Sequence, residues 1–138
     1  MRQKMRADIS KTHVVSPSAR SKSPHEDHLE STVNAKILLV EDHEIVRRGL
    51  YDLIDGHSGW KVCGEAGNGK EAIEKVLALN PDLVLIDLSM PIMSGIEATK
   101  QIRRLCPSVK IVIVSMYDSQ RIMAAEAGAN AYVTKCRT

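Results

Sequence analysis

A chain of 138 residues is long enough for one domain with a real core. Its formal charge of +2 is unevenly split: residues 1–34 carry six Lys or Arg against four Asp or Glu, whereas residues 35–138 carry thirteen of each. A neutral folded region without a basic face argues against direct nucleic-acid binding, and no apolar stretch approaches the roughly 20 residues that span a bilayer.

Residues 1–34 hold six serines, two prolines and alternating charges with almost no periodic apolar pattern. Such a segment cannot repay the entropy of ordering, so a disordered leader is expected there, and His13, His25 and His28 within it are expected to be solvated. The N-terminus also lacks the apolar core of a signal peptide. Three widely spaced cysteines, Cys63, Cys106 and Cys136, suit free thiols of a reducing compartment, and a cytoplasmic location is expected.

From Lys36 the pattern changes. Ile37 to Val40 is a short apolar run ending at Glu41-Asp42, after which Ile45, Val46, Gly49, Leu50, Leu53 and Ile54 recur at helical spacing and Gly56 and Gly59 turn the chain. Trp60 to Gly64 alternates more, as an edge strand with one partly wet face would. Asn68 and Glu71 have the spacing of a capping box, with Ala72, Ile73, Val76 and Leu77 as the apolar stripe of a second helix that Asn80-Pro81 ends. Leu83 to Ile86 is an unbroken apolar run, the signature of a strand covered on both sides, and it ends on a lone carboxylate, Asp87. Ser94 and Glu97 form a second candidate box, with Ile96, Ile102 and Leu105 on the apolar side of a third helix. Pro107 breaks the chain before Ile111 to Val114, a further apolar run that ends at Ser115. Asp118 or Ser119 is placed to cap a fourth helix closed by Gly128, and Ala131 to Thr134 gives a fifth strand followed by Lys135.

Strand and helix alternating in this way imply an open α/β fold with five parallel strands. The C-terminal edge of such a sheet is where ligands and reacting groups collect, and here it would receive Glu41-Asp42, Asp87, Ser115 and Lys135. Three neighbouring carboxylates repel and raise one another's proton affinity unless a cation compensates. A hard divalent ion with oxygen ligands, most simply Mg²⁺, resolves the conflict, and with a Lys and a hydroxyl nearby it suits a clamp on phosphoryl oxygens. Asp87, on the most buried strand, is then the natural nucleophile for forming an acyl phosphate. Met90, Met93 and Met116 flank this edge and are read as filler; His43 is read as local packing or solvation near a helix start.

The stretch Leu39-Val40-Glu41-Asp42-His43-Glu44, together with Asp87-Leu88-Ser89-Met90-Pro91, Ser115 and Lys135, resembles the receiver domain of two-component response regulators over about residues 36–135. The wording of Glu41 to Leu50 and of Gly64 to Ala72 is most similar to the subfamily that usually carries a helix-turn-helix output domain. This resemblance implies a flavodoxin-like strand order 2-1-3-4-5 and a phosphorylation-controlled switch without a metabolic substrate. It implies that Asp87 accepts a phosphoryl group from a histidine kinase or phosphotransfer protein. Glu41 and Asp42 would hold Mg²⁺ together with Asp87 and the backbone carbonyl of Ser89; Lys135 would pair with the phosphoryl group, Ser115 would be the switch hydroxyl and Tyr132 the switch aromatic.

Two departures stand out. The family continues into a final helix after the lysine, whereas only Cys136, Arg137 and Thr138 follow here, so a receiver domain over residues 35–138, cut after its fifth strand, is expected to leave part of one sheet face and the flank of the first helix bare: either the chain was cut short, or the domain is marginal, or another chain, such as a second copy in a homodimer, covers the gap. The interval from Ser115 to Lys135 is also about two residues short of the pattern, so the fourth helix should be trimmed. Three rival readings remain at this point: a fold-retaining binding module that has lost its switch, a flavin binder, and a Mg²⁺-dependent aspartyl-phosphate phosphatase. The phosphatase wants an acid/base Asp where Ser89 stands, and the flavin binder wants a phosphate-cradling loop where Glu41 to Glu44 stand.

Overall fold

The computed structural model describes residues 35–135. The expected disordered leader and the expected halt after the fifth strand lie outside them.

Among the described residues, five strands alternate with four helices: β1 (Ala35–Val40), α1 (Glu44–Asp55), β2 (Trp60–Ala66), α2 (Gly69–Leu79), β3 (Leu83–Asp87), α3 (Gly95–Leu105), β4 (Lys110–Ser115), α4 (Arg121–Ala127) and β5 (Ala131–Thr134). All strand pairs are parallel, in the order β2-β1-β3-β4-β5. This is the expected flavodoxin-like sheet. Period-two alternation splits the apolar runs between its two faces. Leu38, Val40, Val84, Ile86, Ile111 and Ile113 pack with Ala72 and Val76 of α2, Ala98 and Ile102 of α3 and Ala124 of α4. On the other face Ile37, Leu39, Leu85, Val112, Val114 and Val133 pack with Leu50 and Ile54 of α1. That second face carries a single helix among the described residues, and Val112, Val114 and Val133 on it are buried.

The caps follow the residue chemistry. Asn68 accepts from the Glu71 N–H at 2.9 Å, while the Glu71 carboxylate reaches back one residue further than in the usual box, to the Gly67 N–H at 2.7 Å. Ser94 accepts from the Glu97 N–H at 3.2 Å, and Glu97 turns instead towards Gln101. For α4 the expected cap is absent: the helix starts after Gln120 with no side-chain cap, because the Asp118 carboxylate is taken by Arg121 and Thr134. Gly128 closes α4 at φ 110°, as expected of a left-handed C-cap.

Three residues assigned to apolar stripes face out. Ile45 and Leu77 are exposed, and each lies five residues from a buried partner, Leu50 and Ala72. At 3.6 residues per turn that is about 140° around the helix, away from the sheet. Leu105, half exposed, occupies the last position of α3. β2 also runs two residues beyond Gly64, with a bulge at Cys63 where its register against β1 shifts.

Candidate functional site

Parallel strands end together, and the register sets which residues share the edge. Val40 pairs with Ile86, Asp87 with Val114, and Ser115 with Thr134, so Glu41, Asp87, Ser115 and Lys135 all emerge within about one residue of one another. All four are buried. The Lys135 ammonium donates to Asp87 Oδ1 at 2.8 Å and to Glu41 Oε1 at 3.1 Å, joining β5, β3 and β1 through one cation. Its position is fixed from the backbone as well, since the Lys135 N–H donates to the Ser115 carbonyl at 2.6 Å.

Three carboxylates against one buried ammonium leave negative charge in surplus. Burial pushes the Asp87 carboxyl above the usual aspartate range, against the bond and charge of Lys135, and the charges of Glu41 and Asp42 add to the rise. Burial works against the Lys135 ammonium, but its bond to Asp87 and the charges of Asp87 and Glu41 outweigh it and raise its pKa. Lys135 therefore stays charged, and Asp87 is the member of the pair whose ionisation is strained. No hydrogen bond among the described residues engages Asp87 Oδ2.

The acid pair divides its work. Glu41 is wholly buried and both its oxygens are engaged, Oε1 by Lys135 and Oε2 by the backbone N–H of His43 at 3.3 Å and its ring Nδ1 at 3.2 Å. Asp42 is only partly buried, and its Oδ1, although shut off from solvent, has no hydrogen-bond partner among the described residues. His43 Nδ1 also lies 3.2 Å from that oxygen, without the alignment of a hydrogen bond. Its bond to Glu41 and the charges of Asp42 and Glu41 raise the imidazole pKa. Ligand atoms of Glu41, Asp42 and His43 fall within 4.8 Å of one another, a group that does not include Asp87. An unsatisfied carboxylate oxygen beside surplus negative charge is what a hard divalent cation relieves, so the residues present fit Mg²⁺. Sequence reasoning set His43 aside; its place next to the acids was signalled only by adjacency to them.

The two expected switch residues meet at Tyr117. Ser115 Oγ accepts from the Tyr117 N–H at 3.1 Å, and the Tyr132 hydroxyl donates to the Tyr117 carbonyl. Tyr132 is buried, with the Arg121 guanidinium 4.9 Å from its ring centre. Ser115 makes no hydrogen bond to Asp87 or Lys135 through its hydroxyl. Ser89 is exposed, two residues past Asp87 in the loop leading to α3.

A family model of the response regulator receiver domain matches residues 37–138. Response regulator protein VraR of Staphylococcus saprophyticus subsp. saprophyticus is 41% identical over 102 residues, 72% of this chain and 49% of that protein. The chain thus spans about half the length of the curated relatives it matches. Among solved structures, a LuxR-family two-component response regulator from Aurantimonas sp. SI85-9A1 aligns at 40% identity and TM-score 0.69 over 72% of each chain. Thermotoga maritima TrrA, crystallised with Mg²⁺ and BeF, aligns at 33% identity and TM-score 0.68, over 73% of this chain and 86% of that one. With the strand order, the buried lysine at the sheet edge and these matches in agreement, the chain belongs to the response regulator receiver domain family.

Proposed function

We propose that this chain is a signalling receiver that takes a phosphoryl group on Asp87 from a histidine kinase or phosphotransfer protein and thereby switches a protein-interaction surface. The observation that supports it most is the Lys135 ammonium held between Asp87 and Glu41 beside an unsatisfied Asp42 oxygen. A free Asp87 oxygen attacks phosphorus, the bond from phosphorus to the donor's nitrogen breaks, and the departing imidazole takes up a proton. Lys135 keeps its charge throughout and offers it to the phosphoryl oxygens. Asp42 and Glu41, with Asp87 and the Ser89 carbonyl, would hold Mg²⁺, which when bound neutralises phosphoryl charge.

The added negative charge, about 1.5 to 2 at neutral pH, gives Ser115 a reason to move. Its oxygen is occupied as an acceptor from Tyr117, but its O–H remains free to donate. Drawing Ser115 towards Asp87 would release the Tyr117 N–H, and because Tyr132 bonds the same residue, the loop into α4 would rearrange with it. The interaction surface would then be α4 and β5. Other roles fit less well. Ser89 stands where a phosphatase of this chemistry would carry its acid/base, and the reading as a cytoplasmic switch needs no metabolic substrate.

Acetyl phosphate with Mg²⁺ should add one hydroxylamine-labile phosphoryl group, read by intact mass, with acetate leaving. Asp87→Asn should abolish it. Labelling that survives the substitution would overturn the assignment to Asp87, and a native chain that takes no label would instead indicate a fold-retaining binding module.

A further inference from the structure

We propose that Arg47 is a positioning residue for Asp42, fixing through the backbone a carboxylate oxygen that no hydrogen bond orients; this rests on the reading of the acid pair as a cation site. Glu41 is tied by its own side-chain bonds to Lys135 and His43, whereas Asp42 Oδ1 has no such partner. Apart from the unaligned contact with His43 Nδ1 at 3.2 Å, the direction of Asp42 comes from the chain that carries it.

That chain is held on both sides of Glu41. Its N–H donates to the Ala66 carbonyl at the end of β2 at 3.0 Å, and its carbonyl accepts from Arg47 Nη1 at 2.7 Å. The Glu41 carbonyl and the Asp42 nitrogen belong to one planar peptide unit, so fixing the carbonyl fixes the bond from which Asp42 departs. Arg47 itself is anchored at two points. Its N–H donates to the His43 carbonyl at 2.8 Å within the first turn of α1, and its Nε donates to Glu65 Oε1 on β2 at 2.9 Å. The planar guanidinium is the part that matters: two donors at fixed separation span the Glu41 carbonyl and the Glu65 carboxylate together, which a lysine with a single nitrogen on a flexible stem does not reproduce.

Charge and position predict opposite signs, which makes the idea testable. Arg47 is a cation near a proposed cation site, so on charge alone its removal should tighten divalent binding. Loss of positioning should weaken it, and removal of such outer partners of metal ligands typically costs about 10- to 100-fold in affinity.

The experiment is calorimetric titration of the full chain with Mg²⁺ alone, with a thermal melt on each sample. Arg47→Ala should bind about tenfold more weakly than the native chain while folded. Arg47→Lys, which keeps the repelling charge but not the two fixed donors, should bind no more tightly than Arg47→Ala. Lys36→Ala, which removes a 3.0 Å bond to the Leu79 carbonyl at the opposite end of β1 from the acid pair, should leave affinity within about twofold of native. Should Arg47→Ala fail to fold, the Arg47→Lys result decides alone, and native affinity there overturns the proposal. Unchanged or tighter binding by folded Arg47→Ala overturns it too, with the acid-pair reading left standing. A native chain that binds no Mg²⁺ overturns both.

Discussion

Asp118 links the loop before α4 to β5. Its carboxylate accepts from Arg121 Nη2 and from Thr134 Oγ1, each at 2.7 Å, and Arg121 in turn donates to the Tyr132 carbonyl at 3.3 Å. The Thr134 bond first, then the bond and charge of Arg121, hold the Asp118 carboxyl below the usual aspartate range. A depressed carboxyl stabilises the fold above its unfolded pKa, about 3.9, and that stability is lost as pH falls through the lower, folded value. Native protein should therefore melt higher than Asp118→Asn at neutral pH, and the gap should close as pH drops below about 4, where protonated Asp comes to resemble Asn. Melting curves at a series of pH values test this; a gap that stays constant into acid would show that the carboxylate charge does not matter. Single residues differ in how plainly the sequence marks them. The positions of Asp87 and Glu41 are legible because a charged residue directly after an apolar run stands out, and that of Lys135 because it directly follows a short strand. Arg47 and Tyr117 are not, because a surface-type arginine gives no sign that it reaches the Glu41 carbonyl and Glu65, nor a loop tyrosine that its main chain meets the Ser115 and Tyr132 hydroxyls.

At the level of elements, the strands and the first three helices are legible because burial on both sheet faces leaves unbroken apolar runs, and because Asn68 and Ser94 cap where their chemistry suggests. The start of α4 is not, since the choice of Asp118 between capping and pairing depends on Thr134, sixteen residues away. Close packing between elements is equally silent in the sequence, and Gly95 is the sharpest instance. It opens α3, its N–H donates to the Leu88 carbonyl at 2.8 Å, and a Cβ there would lie 2.3 Å from the Asp87 carbonyl oxygen and 2.9 Å from Leu88 Cα. Helix propensity alone would favour alanine by about 1 kcal/mol. The obstacle is backbone, which cannot rotate aside as a side chain does, so overpacking should win and Gly95→Ala should destabilise by about 1–3 kcal/mol. Denaturant unfolding measures this. The same shift would displace Asp87, so labelling by acetyl phosphate should slow as well; native stability in the variant would mean that α3 moves away at no cost.

For the whole molecule, the surplus of buried carboxylates is a cost that folding creates, because only the assembled sheet brings Glu41, Asp42 and Asp87 to one edge. In the unfolded chain Asp42 and Asp87 are 45 residues apart in sequence and barely interact. A cation that relieves the repulsion binds the native state and not the unfolded one, and so must stabilise the fold as a unit. At a Mg²⁺ concentration of 100 times its dissociation constant the gain should be about 2.7 kcal/mol. For a domain of this size that corresponds to a rise in Tm on the order of 10 °C. Asp42→Asn removes the carboxylate charge and with it part of the repulsion, so it should melt above the native chain without Mg²⁺ and respond little to its addition. A chelator should return the native chain to its lower Tm and leave the variant where it was. Equal responses of the two to Mg²⁺ would mean that the cation acts elsewhere on the surface, and that the charge at the sheet edge is balanced by Lys135 alone.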